Sequence, residues 1–359
     1  MTLRSAAGVV TILAVLVAGC AGTSSSGEAA VPSTAASGAS PAGSAGSAGP
    51  DAPTPGSSPS APGGPTADDL ALARIDSVAS PCELAEGLGF VWVTSYAGSE
   101  VHAIDPATNT VVRSFAVPVG PCGVAIGFDS IWVSGGTQTV ARIDPATGER
   151  LASVSIPGEI YDVQVGPDAV WASDRTNGSL VRIDPATNEI AATYRIGSSA
   201  DGFRIAADAI WVAADRSSEL IRVDPNDGSV VATIAVGAKP NWVALGDGAI
   251  WIENTGDGTV NRVDPATNEV TGTFDVGRAP VYLATFEGRI WVANGGARTV
   301  SVLDATTGES LTEIAFETGV HGLAAASGSI WVLDLHGPSV LGNLKGSTIW
   351  RLDPDALGR

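Results

Sequence analysis

A tryptophan recurs at Trp92, Trp132, Trp171, Trp211, Trp251, Trp291 and Trp331, in steps of 39 or 40 residues. Between tryptophans the chain divides into four short apolar segments parted by Gly, Asp, Asn or Pro, as in "WVALG", "AIWI", "TVNRVD" and "EVTGTFDV". Four strands per forty residues, seven times over, predict an all-β fold: a seven-bladed β-propeller of four-stranded antiparallel blades. The chain ends predict its closure. The last unit stops at "IWRLDPDALGR" without a fourth strand, while "LALARIDSVAS", Leu70 to Ser80, stands where a fourth strand would precede the first inner one. The N-terminal strand would complete the last blade and remove an open sheet edge. A competing reading makes "LARID" a third strand like "VARID", but only five residues separate Asp76 from Pro81, where the usual interval is sixteen.

Composition agrees. The single Met, 44 Gly and 22 Pro favour short turns over long helices. With 38 Asp plus Glu against 19 Lys plus Arg and no basic run, nothing is set up to neutralise phosphates, so no nucleic-acid partner is expected.

The elements follow in chain order. Arg4 precedes an apolar run from Ala6 to Ala18, too short to span a bilayer and suited to a signal-peptide core. "VAGC", Val17 to Cys20, resembles the lipobox of bacterial lipoproteins. The resemblance implies a signal peptide over residues 1–19, lipid modification of Cys20, and export to the extracytoplasmic face of the cell membrane. The alternative is a plain secretory signal with an incidental Cys. Residues 20–66 are Ser, Gly, Ala, Pro and Thr with almost no large apolar side chain, and read as a disordered tether. Such a coil spans roughly 35 to 40 Å. Its Ser/Thr/Pro content also permits O-glycosylation. Residues 67–359 are the propeller.

Within each blade the repeated Trp should be buried between neighbours, contributing a few kcal/mol at about 25 cal/mol per Å². The aspartates of the "DPAT" element, Asp105, Asp144, Asp184, Asp224 and Asp264, with variants at Asp304 and Asp353, read as turn caps. One per blade, they are too far apart to share a calcium ion. Arg142, Arg182, Arg222, Arg262 and Arg351, two residues before that Asp, are expected to form a blade-to-blade ion-pair ring or a solvated edge. "IWVANGGARTVSVLDATTGESL" and "VRIDPATNEIAATYRIGS" resemble the YVTN repeat of YncE-like propellers, with Trp for the usual Tyr, over about Leu70 to Arg359. That resemblance implies a scaffold and leaves the role open.

Function is sought where the repeat breaks. Ten residues before each Trp, around the channel mouth, stand Cys82, Cys122, Tyr161, Asp201, Asn241, Val281 and His321. With Trp242, Tyr282, Asn294, Arg298 and Lys345 they define a candidate binding face, Tyr161, Asp201, Asn241 and His321 being its ring members. Loop drift without selection is the bland alternative. Blade seven carries an insertion, "LHGPSVLGNLKGS", bringing His336 and Lys345 to that face as a lid or as ordinary loop growth. Cys82 and Cys122, in equivalent places of an exported chain, read as a disulfide. Free thiols, or a Cys₂His metal set with His321, are the alternatives.

Two functions from different classes follow. The first is a binding or scaffolding module for a protein, peptide or envelope glycan, monomeric, membrane-attached through its lipid and needing no cofactor. The second is a hydrolase or lyase resembling the streptogramin lyases, with His321 or His336 as general base and Asp201, Glu159 or Asp162 holding a divalent metal at the mouth. No lyase motif is recognisable residue by residue. A quinone-cofactor dehydrogenase is a third possibility, without its usual eight blades or stacked pocket.

Overall fold

The computed structural model describes residues 63–118, 120–135, 138–335 and 347–358. Cys20, His336 and Lys345 lie outside them. The described strands form seven four-stranded antiparallel sheets. Blade one runs from its inner strand Pro81–Gly87 through Phe90–Ser95 and Glu100–Asp105 to its outer strand Thr110–Ala116. Blades two to six repeat this path from inner strands beginning at Pro121, Ile160, Phe203, Pro240 and Pro280. Inner strands of successive blades touch all the way round, blade seven meeting blade one.

Blade seven supplies Gly319–Ala326, Ser329–Leu335 and Thr348–Leu352. Its fourth strand is Ala71–Ile75, antiparallel to Thr348–Leu352 with Ala71 opposite Leu352 and Ile75 opposite Ile349. Just upstream, Thr66 bridges in parallel to Ala315 on the edge of blade six, whose amide donates to the Pro65 carbonyl at 3.0 Å.

The seven repeated tryptophans are at most 2% exposed. Each apolar cluster draws on neighbouring blades, as where Trp132 and Val140 pack with Val163, Val170 and Ala172. Every one of the seven turn aspartates accepts from the backbone amide two residues on, at 2.7 to 2.9 Å.

The arginines depart from expectation. Arg142, Arg222 and Arg351 make no ion-pair ring between blades. Each lies over its own blade's Trp, 5.1, 5.1 and 5.4 Å from the ring centre. Each then donates to the next blade's turn: Arg142 to Pro185 O at 2.6 Å and Asn188 Oδ1 at 3.0 Å, Arg222 to Pro265 O at 2.8 Å and Asn268 Oδ1 at 3.1 Å. Arg351 does the same to Pro106 O and Asn109 Oδ1. A carbonyl and an amide replace the expected carboxylate because those atoms cap a turn whose own Asp is already bonded within it. The ion pairs that this set of arginines does form, Arg182 with Asp168 and Arg222 with Asp208, stay inside a blade.

These clasps reveal a two-blade period inside the forty-residue one. Blades one, three and five end their turns on Asn, at Asn109, Asn188 and Asn268, with φ of 56°, 60° and 58°. Their outer strands carry Phe115, Tyr194 and Phe274, stacked or tilted against Trp92, Trp171 and Trp251. Blades two, four and six place Gly148, Gly228 and Gly308 at the turn, and a Cβ there would run into those same three aromatic rings. From blade one to blade six the interfaces therefore alternate between an aromatic ring lying on a glycine turn and an arginine clasping an asparagine turn. Blade seven clasps blade one in the second way, and Arg289 donates to Pro354 O between blades six and seven.

Candidate functional site at the channel mouth

Six of the seven inner strands carry a β-bulge at one place, directly after Pro81, Pro121, Ile160, Pro240, Pro280 and Val320. A bulge leaves residues unpaired and re-aims their side chains. The mouth ring, Cys82, Cys122, Tyr161, Asn241, Val281 and His321, sits in these bulges. Blade four differs: its inner strand is cut to Phe203–Ile205, and Asp201 and Gly202 bond instead to Ala213 and to the Asn241 carbonyl.

The bulges surround a cavity of about 600 Å³, within the size range of small-molecule sites. Its wall includes Tyr96, Tyr161, Tyr282, Asn241, Val281, His321 and Cys122, with Gln138, Glu159 and Thr176 from the rim. Three of the chain's four tyrosines are gathered here. One side is tied by a polar relay from blade three to blade six: Tyr161 Oη donates to Asn241 Oδ1, and Asn241 Nδ2 donates to Val281 O at 3.2 Å. On the other side Cys82 and Cys122 are bonded to each other, their Cα atoms 5.1 Å apart.

One register position further in, the large residues Glu83, Asp162, Trp242 and Tyr282 share the level with Gly123, Gly202 and Gly322. The alternation is steric, since a Cβ at Gly202 would meet the Trp242 ring and the Asn241 carbonyl. Glu83 Oε2 accepts from Val124 N at 3.3 Å, and Asp162 Oδ2 from Phe203 N at 3.2 Å, each reaching the next blade. Arg204 contacts Asp162 at 3.3 Å and lies 4.6 Å over Trp242, whose ring is tilted against that of Tyr282 with centroids 4.3 Å apart. Arg175 lies 5.0 Å over Tyr161 and pairs with Asp201 at 2.7 Å and Asp215 at 2.9 Å.

Burial sets the ionisation. It lifts Glu83 well above the usual carboxylate range, and the neighbouring Asp162 adds to the lift. Burial also raises Asp162 and Asp201, against the pull of Arg204 on the first and, on the second, of the Asp215 amide and other hydrogen bonds as well as Arg175. Glu253, fully buried and without an ion pair among the described residues, is pushed well up by desolvation, and its Oε1 has no hydrogen-bond partner. Burial pushes His321 down to about 4, so its imidazole is neutral at neutral pH.

Of the residues singled out from sequence, Tyr161, Asn241, Tyr282 and His321 meet at the cavity, and Trp242 backs it. Asp201 is buried outside the wall, locked by Arg175 and by the Asp215 amide at 2.9 Å. Asn294 is a hairpin residue: fully buried, it donates to Thr299 Oγ at 3.2 Å and Ser301 Oγ at 2.8 Å. Asn254 does the same one blade earlier. Arg298 is exposed at the tip of that hairpin, with φ of 62°, and is not part of the wall. Asp162 and Asp201 are each committed to an arginine, and no group of three or more His, Cys, Asp or Glu among the described residues is placed to hold a metal ion. Sequence reasoning missed Glu83 and Arg204. Aligning the blades shows Arg204, three positions past the mouth ring, where five of the other six blades have Ala. Glu83, one position past it, shares its place with Asp162, Trp242, Tyr282 and three Gly and does not stand out.

No family model matches the chain, and no curated protein matches it. Among solved structures it is similar to a streptogramin B lyase, at 17% identity and a TM-score of 0.64, over 79% of this chain and 96% of that one. It is also similar to hydrazine synthase of Kuenenia stuttgartiensis, at 12% identity and a TM-score of 0.65, over 77% and 96%. At these identities the likeness shows the fold: the chain is a seven-bladed β-propeller.

Proposed function

We propose that this protein is a ligand-binding module of the YVTN-repeat type, held at the outer face of the cell membrane through Cys20 and using its channel mouth to engage a partner. One observation carries the binding part: the cavity of about 600 Å³ opens where side chains depart from the repeat. Its size suits a small molecule, or one protruding group of a peptide or envelope glycan, better than a flat protein surface. A fragment screen by ligand-observed NMR, with hits located by hydrogen exchange, tests it. Protection should fall on the bulges around Tyr161, Asn241 and Tyr282, and hits that protect only other surfaces remove the reading. The anchor is tested separately: a Cys20→Ala chain should leave the detergent phase for the aqueous one.

A hydrolase or lyase activity is the second reading, favoured by the neutral imidazole of His321 in the wall. Turnover of a panel of cyclic and linear esters that disappears in His321→Ala would replace binding by catalysis.

A further inference from the structure

The hydrogen-bonding groups on one side of the cavity are already spent on each other. Tyr161 donates to Asn241, and Asn241 donates to the Val281 carbonyl. A ligand meeting this side finds aromatic rings rather than a free amide. Those rings are held from behind, Tyr161 by Arg175 at 5.0 Å and Tyr282 by Trp242 at 4.3 Å.

The charge around the rings is one-sided. Among the described residues no Lys or Arg lines the cavity. The two guanidiniums behind it, Arg175 and Arg204, are taken up by Asp201, Asp215 and Asp162. Glu83 and Glu253 remain, buried and without an ion pair among the described residues, and Glu253 Oε1 lacks even a hydrogen bond. A buried carboxyl without a counter-charge is costly to ionise, and a cation nearby relieves that cost. An anion would find no free counter-charge among the described wall residues. Ring faces combined with a surplus of carboxyls form an environment that attracts cations lacking strong hydration. A chain of net charge −19 steers the same sign toward it.

Resting on the binding reading above, we infer that the cavity receives a quaternary ammonium group, held by the rings of Tyr161 and Tyr282 in its wall, with the carboxyls of Glu83 and Glu253 buried behind that wall as the acidic groups a cation favours. The group carries no hydrogen-bond donors, which matches the side of the wall where Tyr161, Asn241 and the Val281 carbonyl are bonded to one another.

The test titrates the full chain with three probes: choline, its uncharged isostere 3,3-dimethylbutan-1-ol, and N-acetylglucosamine. Quenching of tryptophan fluorescence is read alongside hydrogen exchange at the bulges. Choline should bind at least tenfold more tightly than the isostere. Its affinity should fall at least fivefold in Glu253→Gln, with Glu83→Gln as the second variant should the first not fold, while the isostere's binding is unchanged. Equal binding of choline and its isostere, or N-acetylglucosamine binding where choline does not, overturns the ammonium inference and leaves the binding module standing. Failure of all three probes while other fragments protect the bulges has the same meaning. If no fragment protects them, both fall.

Discussion

The perimeter and the mouth of this ring are built from the same seven blades by opposite rules. At the perimeter six of the seven junctions use repeated letters of two kinds, Phe115, Tyr194 and Phe274 against glycine turns and Arg142, Arg222 and Arg351 against asparagine turns, while Arg289 reaches Pro354 O between blades six and seven. At the mouth no two neighbouring junctions are alike apart from their bulges. Blades one and two share a disulfide, a Tyr–Asn–carbonyl relay runs from blade three through five to six, and the Asp162 carboxylate reaches the blade-four backbone. Stability spread over equivalent contacts leaves the remaining positions free to differ, and a site needs that freedom.

Single changes sharpen this contrast, the largest first. Reducing Cys82–Cys122 opens a loop of 40 residues and should cost about 4 kcal/mol from loop-closure entropy alone. Urea unfolding with and without reductant measures it, and a negligible change would mean the mouth needs no covalent tie. Next, Gly228→Ala forces a Cβ into Tyr194 at a φ of 73° and should cost about 3 kcal/mol. Gly248→Ala has nearly the same φ, 72°, with nothing within 4 Å, and should cost only about 1 kcal/mol. Equal losses would show that backbone strain, not the ring-on-glycine junction, governs the perimeter. Arg222→Ala removes two bonds to blade five and the Trp211 stack, an expected loss of about 1.5 kcal/mol by thermal unfolding.

Mouth substitutions should be smaller, and their effects should depend on pH. Glu253 is raised in the folded state, so below its unfolded pKa of 4.5 it is protonated in both states and imposes no ionisation penalty. Above 4.5 the unfolded chain gains by ionising while the folded one does not, and stability declines until the folded pKa is passed. Glu253→Gln should therefore stabilise by about 1 kcal/mol at pH 7.5 and by nothing near pH 4. A constant difference across that range would place the benefit in packing. His321 runs the other way: with its folded value near 4 and its unfolded value at 6.5, it withdraws stability as pH falls from 6.5 toward 4. His321→Gln should flatten that part of the stability–pH curve.

Blade number, closure and turn chemistry are legible in the sequence because each rests on local sterics repeated seven times. Trp92 and its six equivalents must be buried wherever a forty-residue unit folds, and Asp105 caps its turn from two residues away. The two-blade period is equally present in the letters, "ATNEIAATY" against "NDGSVVATI", but counting in steps of forty averages it out. At the mouth, departure from the repeat was a useful signal for Tyr161 and Tyr282. It misled for Asn294, whose partners Thr299 and Ser301 lie in its own hairpin. Glu83 is re-aimed by the bulge after Pro81, whereas Arg204 stands in the one inner strand without a bulge, and neither feature leaves a mark in apolar alternation.

The bridge from Thr66 to Ala315 determines where a pull on the preceding chain is felt. Tension arriving from that side reaches the Pro65 carbonyl and the edge of blade six before it reaches Ala71–Ile75. The seam that closes the ring is thus shielded by an adjacent blade, much as a rope turned round a cleat spares the knot behind it.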